Sequence, residues 1–515
     1  MVSADLYGNT VSVLTINGSK LRIEDIISVS RHYRLVSIET AALERVAKAR
    51  AMVEDLLTRE EVVYGITTGF GRFSDIKISH KDAAVLQENI IASHAAALGD
   101  PLPEEIVRAA LLLRLNALAR GHSGVRPVVI EMLIELLNKR VTPVVPCQGS
   151  LGASGDLAPL SHIALVLTGQ GEAFLGGTRM PGSEALAACK LKPIKLVEKE
   201  GLALINGTQI MTAIGSIAVY DAENLLKTSL IVAALSLEAQ LAVPDAFDPL
   251  IARVRAYHGH EYTAAVIRRL INGSTLIGSD GNKVQDAYSM RCIPQVHGAT
   301  ADAIDYVRKI ITVEINSVND NPILFPEEGK VLSGGNFHGQ PVAQAMDFLT
   351  IATSELGSIA ERRIERLVNP ALSGLPPFLT SEGGLNSGLM IAQYTAASLV
   401  SENKSLCHPA SVDSIPSSAN QEDHVSMGTT AARKARIVID NVGKIIGLEY
   451  LTACQALDFR EPEKLGEGTK VAYDLLREKV EFITKDRILY PLIESAVDLV
   501  TSGRVTEAVE VKVAL

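Results

Sequence analysis

The segment MDFLTIATSELGSIAERRIERLVNP, residues 346–370, sets Met346, Leu349, Thr353, Leu356, Ala360, Ile364 and Leu367 at spacings of three or four. That period lays one mostly apolar stripe along a helix of about six turns, and Asn369-Pro370 stops it. Two further stretches carry the same pattern. Ile304, Val307, Ile311, Ile315 and Val318 run up to Asn319-Asp320-Asn321-Pro322, and Val438, Val442, Ile446, Tyr450 and Ala453 mark a third helix. Long helices with near-heptad stripes pack side by side at shallow angles, so the fold is predicted to be mainly α, a long-helix bundle. The helical character sets in near Leu204. Earlier residues mix β-rich pieces such as Val11–Ile16 with helical ones such as Glu104–Arg120. The expected division is therefore a mixed α+β region over 1–203 and a helix-bundle domain over 204–515.

Composition narrows the function classes. Apolar residues make up 47% and charged residues 21%, as in ordinary globular chains. Aromatic residues are only 4% and Trp is absent, so Leu, Ile, Val and Ala must fill the core. A net charge of -10 offers no footprint for nucleic acid. The five cysteines, Cys147, Cys189, Cys292, Cys407 and Cys454, are scattered and odd in number, which reads as free thiols in a reducing compartment. The start, MVSADLYG, has no basic n-region and no apolar h-region. The most apolar stretch, Leu204 to Val243, is broken by Asp221, Glu223, Lys227 and Glu238, so no membrane span is expected. These features predict a cytoplasmic protein. Taken alone, the stripes fit a non-catalytic oligomeric scaffold equally well, so evidence for chemistry must come from between the helices.

It comes from GSLGASGDLAPLSH, residues 149–162. A serine-hydrolase elbow needs G-x-S-x-G, and here Gly155 follows Ser154 directly, so that reading fails on spacing. Ala153-Ser154-Gly155 can instead close on itself. If the Gly155 nitrogen attacks the Ala153 carbonyl and two waters leave, Ser154 becomes a dehydroalanine within a five-membered ring. Glycine suits the attack, having no Cβ and access to backbone regions closed to other residues. The whole stretch resembles the signature of the aromatic amino-acid ammonia-lyase and aminomutase family, whose fold is a long-helix bundle of the aspartase/fumarase-like type. The resemblance implies the electrophilic prosthetic group 4-methylideneimidazol-5-one (MIO), formed from Ala153, Ser154 and Gly155, and no metal or diffusible cofactor.

Further segments extend the resemblance over most of the chain. Tyr64-Gly65-Ile66-Thr67-Thr68-Gly69-Phe70-Gly71 is similar to the family's mobile loop with its catalytic tyrosine, although many members have Asn where this chain has Thr67. GLALINGT (201–208) matches the segment whose Asn, here Asn206, hydrogen-bonds the cofactor. QDAYSMR (285–291) implies that Gln285 and Tyr288 line the cofactor and that Arg291 grips the substrate carboxylate through its guanidinium fork. GNFHGQP (335–341) implies that Phe337 packs against the ring. NQEDHVSMG (420–428) supplies Glu422; adjacent carboxylates face one ion poorly, and no HExxH or clustered Cys/His spacing is present, so no metal site is expected.

Two positions bear on the substrate. Ser93-His94 resembles the histidine-using members, although one bacterial tyrosine aminomutase type shares the pair. Glu422 discriminates better, because phenylalanine and tyrosine users have Gln there. An imidazole can donate a proton to a carboxylate, whereas a phenyl ring would leave a buried Glu uncompensated. The segment Gly69–Asp75 and the run Arg291–Gln295 also resemble the histidine branch. The resemblance thus implies elimination of ammonia from L-histidine to trans-urocanate. Substrate attack on the methylidene carbon comes through the amino group or, alternatively, the imidazole ring. Tyr64 is the first choice of base and Glu422 its rival; His94, Arg291 and Glu422 would bind substrate. A tyrosine or phenylalanine lyase, or a 2,3-aminomutase, is the alternative within the family. Members share each site among three chains of a homotetramer, which is the expected partner state here.

Overall fold

The computed structural model describes residues 2–4, 10–59, 61–66, 68–69, 78 and 80–515. The stripe at 346–367 lies on the Gln340–Val368 helix, and Met346, Leu349, Thr353, Leu356, Ala360, Ile364 and Leu367 are all fully buried. Val438, Val442, Ile446, Tyr450 and Ala453 are equally buried on the Gly428–Leu457 helix. With Gln209–Ala239 and Ile293–Glu314 these are the dominant elements, of 29, 30, 31 and 22 residues. Gln209–Ala239 is buried on nearly all sides, which explains why its apolar residues run continuously instead of forming a stripe. Among the described residues, no helix is long and apolar enough to cross a membrane.

The Ile304 stripe outruns its helix. The helix ends at Glu314, yet Ile315 stays buried. The chain turns there because polar groups take over. The Thr208 hydroxyl donates to Glu314, Asn319 Nδ2 donates to Thr208 Oγ1 at 2.8 Å, and Asn116 Nδ2 caps the Ile315 carbonyl at 2.8 Å. Spacing alone does not reveal side chains reaching back to satisfy a helix end.

Contacts divide the chain into two units. One comprises residues up to Ile217, Arg308–Met346 and Pro409–Arg433; the other comprises Ala218–Val307, Asp347–His408 and Lys434–Leu515. The sequence-based boundary at 203/204 marks where the helices lengthen, whereas four of the five contact divisions fall inside the four long helices and the fifth lies between His408 and Pro409. Such divisions leave no mark in composition.

The first unit holds the short strands of the mixed region. Leu14–Ile16 pairs in parallel with Val36–Ile38. Thr142–Pro143, Glu172–Leu175 and Thr178–Pro181 form an antiparallel three-stranded sheet. Leu98–Pro101 pairs with Pro146–Gln148, the strand that delivers the chain to Gly149. The Glu104–Leu118 helix is buried almost throughout and carries Arg114, whose Nη1 donates to the Ala203 carbonyl at 3.0 Å. Burial pulls the Arg114 guanidinium down to about 10, against the attraction of Asp320 and Asp156.

The second unit is built on helices joined by a buried ion pair. Arg363 Nε and Nη2 donate to the two Glu449 oxygens at 2.5 and 2.8 Å, and Ser236 Oγ donates to Glu449 Oε1 at 2.7 Å. Three of the long helices meet at this point. His297, on the fourth, is fully buried, and burial with the nearby Arg363 charge holds its imidazole well below its ordinary pKa. Removing one partner leaves the other charge buried and unpaired, which typically costs about 3–5 kcal/mol. Arg363→Ala should therefore lower the urea midpoint by that amount of stability. An unchanged midpoint would contradict the role given to this pair.

Candidate active site

The glycine-rich segment is held by its backbone from several sides. Gly149, Gly152 and Gly155 have φ of 148°, 71° and 75°. At Gly155 the requirement is strict, because a Cβ would lie 2.0 Å from the Gly207 carbonyl oxygen. Asp156 N donates to that oxygen at 2.7 Å, and Gly207 N reaches the Ser154 carbonyl at 3.4 Å. Asn206 Nδ2 donates to the same Ser154 carbonyl at 3.0 Å, while Asn206 Oδ1 is buried with no hydrogen-bond partner among the described residues. Across the segment, Ser426 Oγ donates to Gly152 O at 2.9 Å and Met427 N to Leu151 O at 3.1 Å.

Asp156 gathers these strands of chain together. Its carboxylate is fully buried and accepts from Ile210 N and Met211 N, both at 2.9 Å, in the first turn of the Gln209–Ala239 helix. Ser150 Oγ donates to it at 2.8 Å, and Thr429 Oγ1 donates as well. Burial raises the Asp156 carboxyl above its ordinary range, against the pull of these four donors. The motif contained this residue, yet sequence reading gave it no role. The available signal was an acidic residue immediately before the Leu157–Leu167 helix, a capping position.

Glu422 meets the tripeptide directly. Ser154 Oγ donates to Glu422 Oε1 at 2.8 Å, and Ser417 Oγ donates to Oε2 at 2.8 Å. Ser417 and Glu422 also exchange main-chain bonds, at 2.9 and 3.3 Å. The intervening Ser418, Ala419 and Asn420 all have positive φ, of 50°, 52° and 66°. A left-handed L-residue costs about 1–2 kcal/mol, so three in succession persist only where surrounding contacts impose them. Sequence reading did not single out Ser417; nothing in the pattern SSANQE announces a left-handed turn.

A cleft of about 1060 Å³ lies over this constellation, lined by Tyr64, His94, Ala153, Ser154, Asn206, Phe337 and Glu422 among others. His94 ends the His80–His94 helix, with its Nδ1 3.1 Å from Ser93 Oγ. Burial lowers the His94 pKa, while the Ile90 backbone and the Glu422 charge pull the other way. Ile66, two residues after Tyr64, belongs to a buried cluster with Val53, Leu56 and Leu324. His338 and His424 stack in the cleft wall, with centroids 5.9 Å apart. Thr67 and Phe70–Asp75 lie outside the described residues. Gln285, Tyr288 and Arg291 belong to the second unit, and the lining residues all belong to the first. The Arg291 guanidinium sits over the Tyr288 ring at 4.8 Å, and Tyr288 is 70% exposed. Among the described residues, no group of three or more His, Cys, Asp or Glu is arranged to hold a metal ion.

Comparison with known proteins places this geometry in context. The family described as aromatic amino acid lyase matches residues 21–478. A histidine ammonia-lyase of Caldanaerobacter subterraneus subsp. tengcongensis is 56% identical over 498 residues, covering 96% of this chain and 98% of the relative. The crystal structure of histidine ammonia-lyase from Trypanosoma cruzi superposes with a TM-score of 0.91 at 41% identity, over 98% of this chain and 96% of that one. Tyrosine aminomutase from Streptomyces globisporus superposes at 0.93 with 38% identity, over 98% and 99%. The shared fold is the helical one related to aspartase and fumarase.

The geometry at Gly155 makes a direct prediction. Gly155→Ala must either leave the left-handed region or push Gly207 away, so it should lower the urea midpoint by at least about 1–2 kcal/mol of stability. A variant as stable as the parent would contradict this account of the Gly155–Gly207 contact.

Proposed function

The chain belongs to the aromatic amino acid lyase family, and on that footing we propose that it eliminates ammonia from L-histidine to give trans-urocanate, the first step of histidine degradation. The observation that carries the substrate choice is the Glu422 carboxylate, bonded to Ser154 and sharing a cleft with His94. A carboxylate in that position suits a ring with an N–H to donate. It would be a desolvation penalty against a phenyl or phenol ring.

The tripeptide fits the MIO chemistry on two counts: a left-handed Gly155 open to close approach, and two N–H donors, from Asn206 and Gly207, converging on the Ser154 carbonyl. When formed, MIO supplies an electrophilic carbon that turns the substrate's amino group into a better leaving group. Asn206 Nδ2 holds the Ser154 carbonyl oxygen and draws electron density toward it. Phe337 lines the same cleft and shields it from water. Tyr64 takes the β-proton on its phenol oxygen, with Glu422 the competing base. Glu422 accepts the imidazole N–H, and His94 flanks the ring. Arg291 clamps the substrate carboxylate, and Gln285 and Tyr288 line the cofactor. The exposure of Tyr288 and of Val284, at 70% and 91%, supports a homotetramer in which other copies bring these residues to each site. The five cysteines are free thiols, in keeping with a cytoplasmic enzyme.

The purified protein should raise ultraviolet absorbance with L-histidine as urocanate accumulates. Ser154→Ala should abolish that signal while leaving the fold intact. Glu422→Gln should cut kcat/KM for L-histidine by at least roughly 10- to 100-fold, the scale of one hydrogen bond to a charged group. Turnover of tyrosine or phenylalanine but not histidine would overturn the substrate assignment.

A further inference from the structure

Glu422 can select an imidazole only if one of its oxygens is kept in place for it, and the structure offers one device for this. We propose that Ser417 is the specificity-positioning residue of the site: its hydroxyl occupies Glu422 Oε2, so that Oε1 alone faces the substrate. This rests on the reading of Glu422 given above.

Three observations converge on Ser417. Its Oγ donates to Glu422 Oε2 at 2.8 Å, while the opposite oxygen, Oε1, is the one that meets Ser154 Oγ. The paired main-chain bonds between Ser417 and Glu422 fix the two Cα positions relative to each other, so the side-chain bond sets the carboxylate's rotation. The left-handed run Ser418–Ala419–Asn420 closes the loop between them, and Gln421 N bonds Ser418 O at 3.1 Å to complete the turn. Strained non-glycine backbone of this kind gathers where a side chain must be held in a defined position.

Cyclisation removes the Ser154 hydroxyl as water, and with it the donor now bonded to Oε1. That oxygen is then left as the acceptor available to the imidazole N–H, while Oε2 remains occupied by Ser417. Without the Ser417 hydroxyl, the carboxylate is free to rotate about its last bond and to present either oxygen to water. The main-chain pairing does not involve the hydroxyl, so the turn itself survives its loss.

The test uses initial-rate kinetics on L-histidine with the full-length chain, S417A, E422Q and the double variant, with S417T as the rescue. S417A should lose roughly 10- to 100-fold in kcat/KM, mostly through a raised KM, the scale of one hydrogen bond to a charged group. Its Ala153–Gly155 peptide should still be lighter by two waters. S417T should recover most of the activity. In the E422Q background, the same serine change should cost less than about threefold, because a residue acting through Glu422 has nothing left to position. Equal losses in both backgrounds, a failure of ring formation in S417A, or an unimpaired S417A beside a strongly impaired E422Q would each overturn the role of Ser417. An unimpaired E422Q would overturn the reading of Glu422 beneath it.

Discussion

The site depends on one buried carboxylate. Asp156 accepts two backbone N–H groups from the first turn of the Gln209–Ala239 helix and two hydroxyls, from Ser150 and Thr429. An ionised carboxylate cut off from water is costly unless its lone pairs are filled, and here four donors fill them. The helix start also favours negative charge, since its first N–H groups point outward without partners. The residue that caps this helix is therefore the one immediately after Gly155. The helix and the tight segment cannot be placed independently.

The reactive geometry follows from that coupling. With Asp156 fixed, its own N–H reaches the Gly207 carbonyl, and Gly155 is pressed against Gly207 in the left-handed region. Asn206, one residue earlier, then meets the Ser154 carbonyl. Thr429 ties in the segment that begins with Ser417 and carries Glu422. Two stretches far apart in sequence thus converge on Ser154, through Asn206 at 3.0 Å and Glu422 at 2.8 Å. Rigid scaffolding of this kind keeps reacting groups within the tolerance that catalysis requires.

Some of this was legible in the sequence and some was not. The helical stripes predicted buried faces, and residues such as Met346, Leu356 and Val442 lie fully buried because a period of three and four has one physical interpretation. Ser154, Asn206, Phe337 and Glu422 could be named because each sits in a long, specific segment, and they line one cleft. The end of the helix at Glu314 was missed because Thr208 and Asn116, distant in sequence, determine it. Ser417 was missed for a similar reason: its partner is only five residues away, but a left-handed turn without glycine has no compositional signature. Four of the five divisions between the contact units fall within helices, where composition carries no mark of them.

The central claim is that this backbone holds Ala153, Ser154 and Gly155 for conversion into an electrophile, and the mass of that segment tests it most directly. Digestion of the purified chain should release a peptide spanning Ala153–Gly155 that is lighter than its sequence by two waters. A peptide of full mass from a preparation that still converts L-histidine to urocanate would contradict the account.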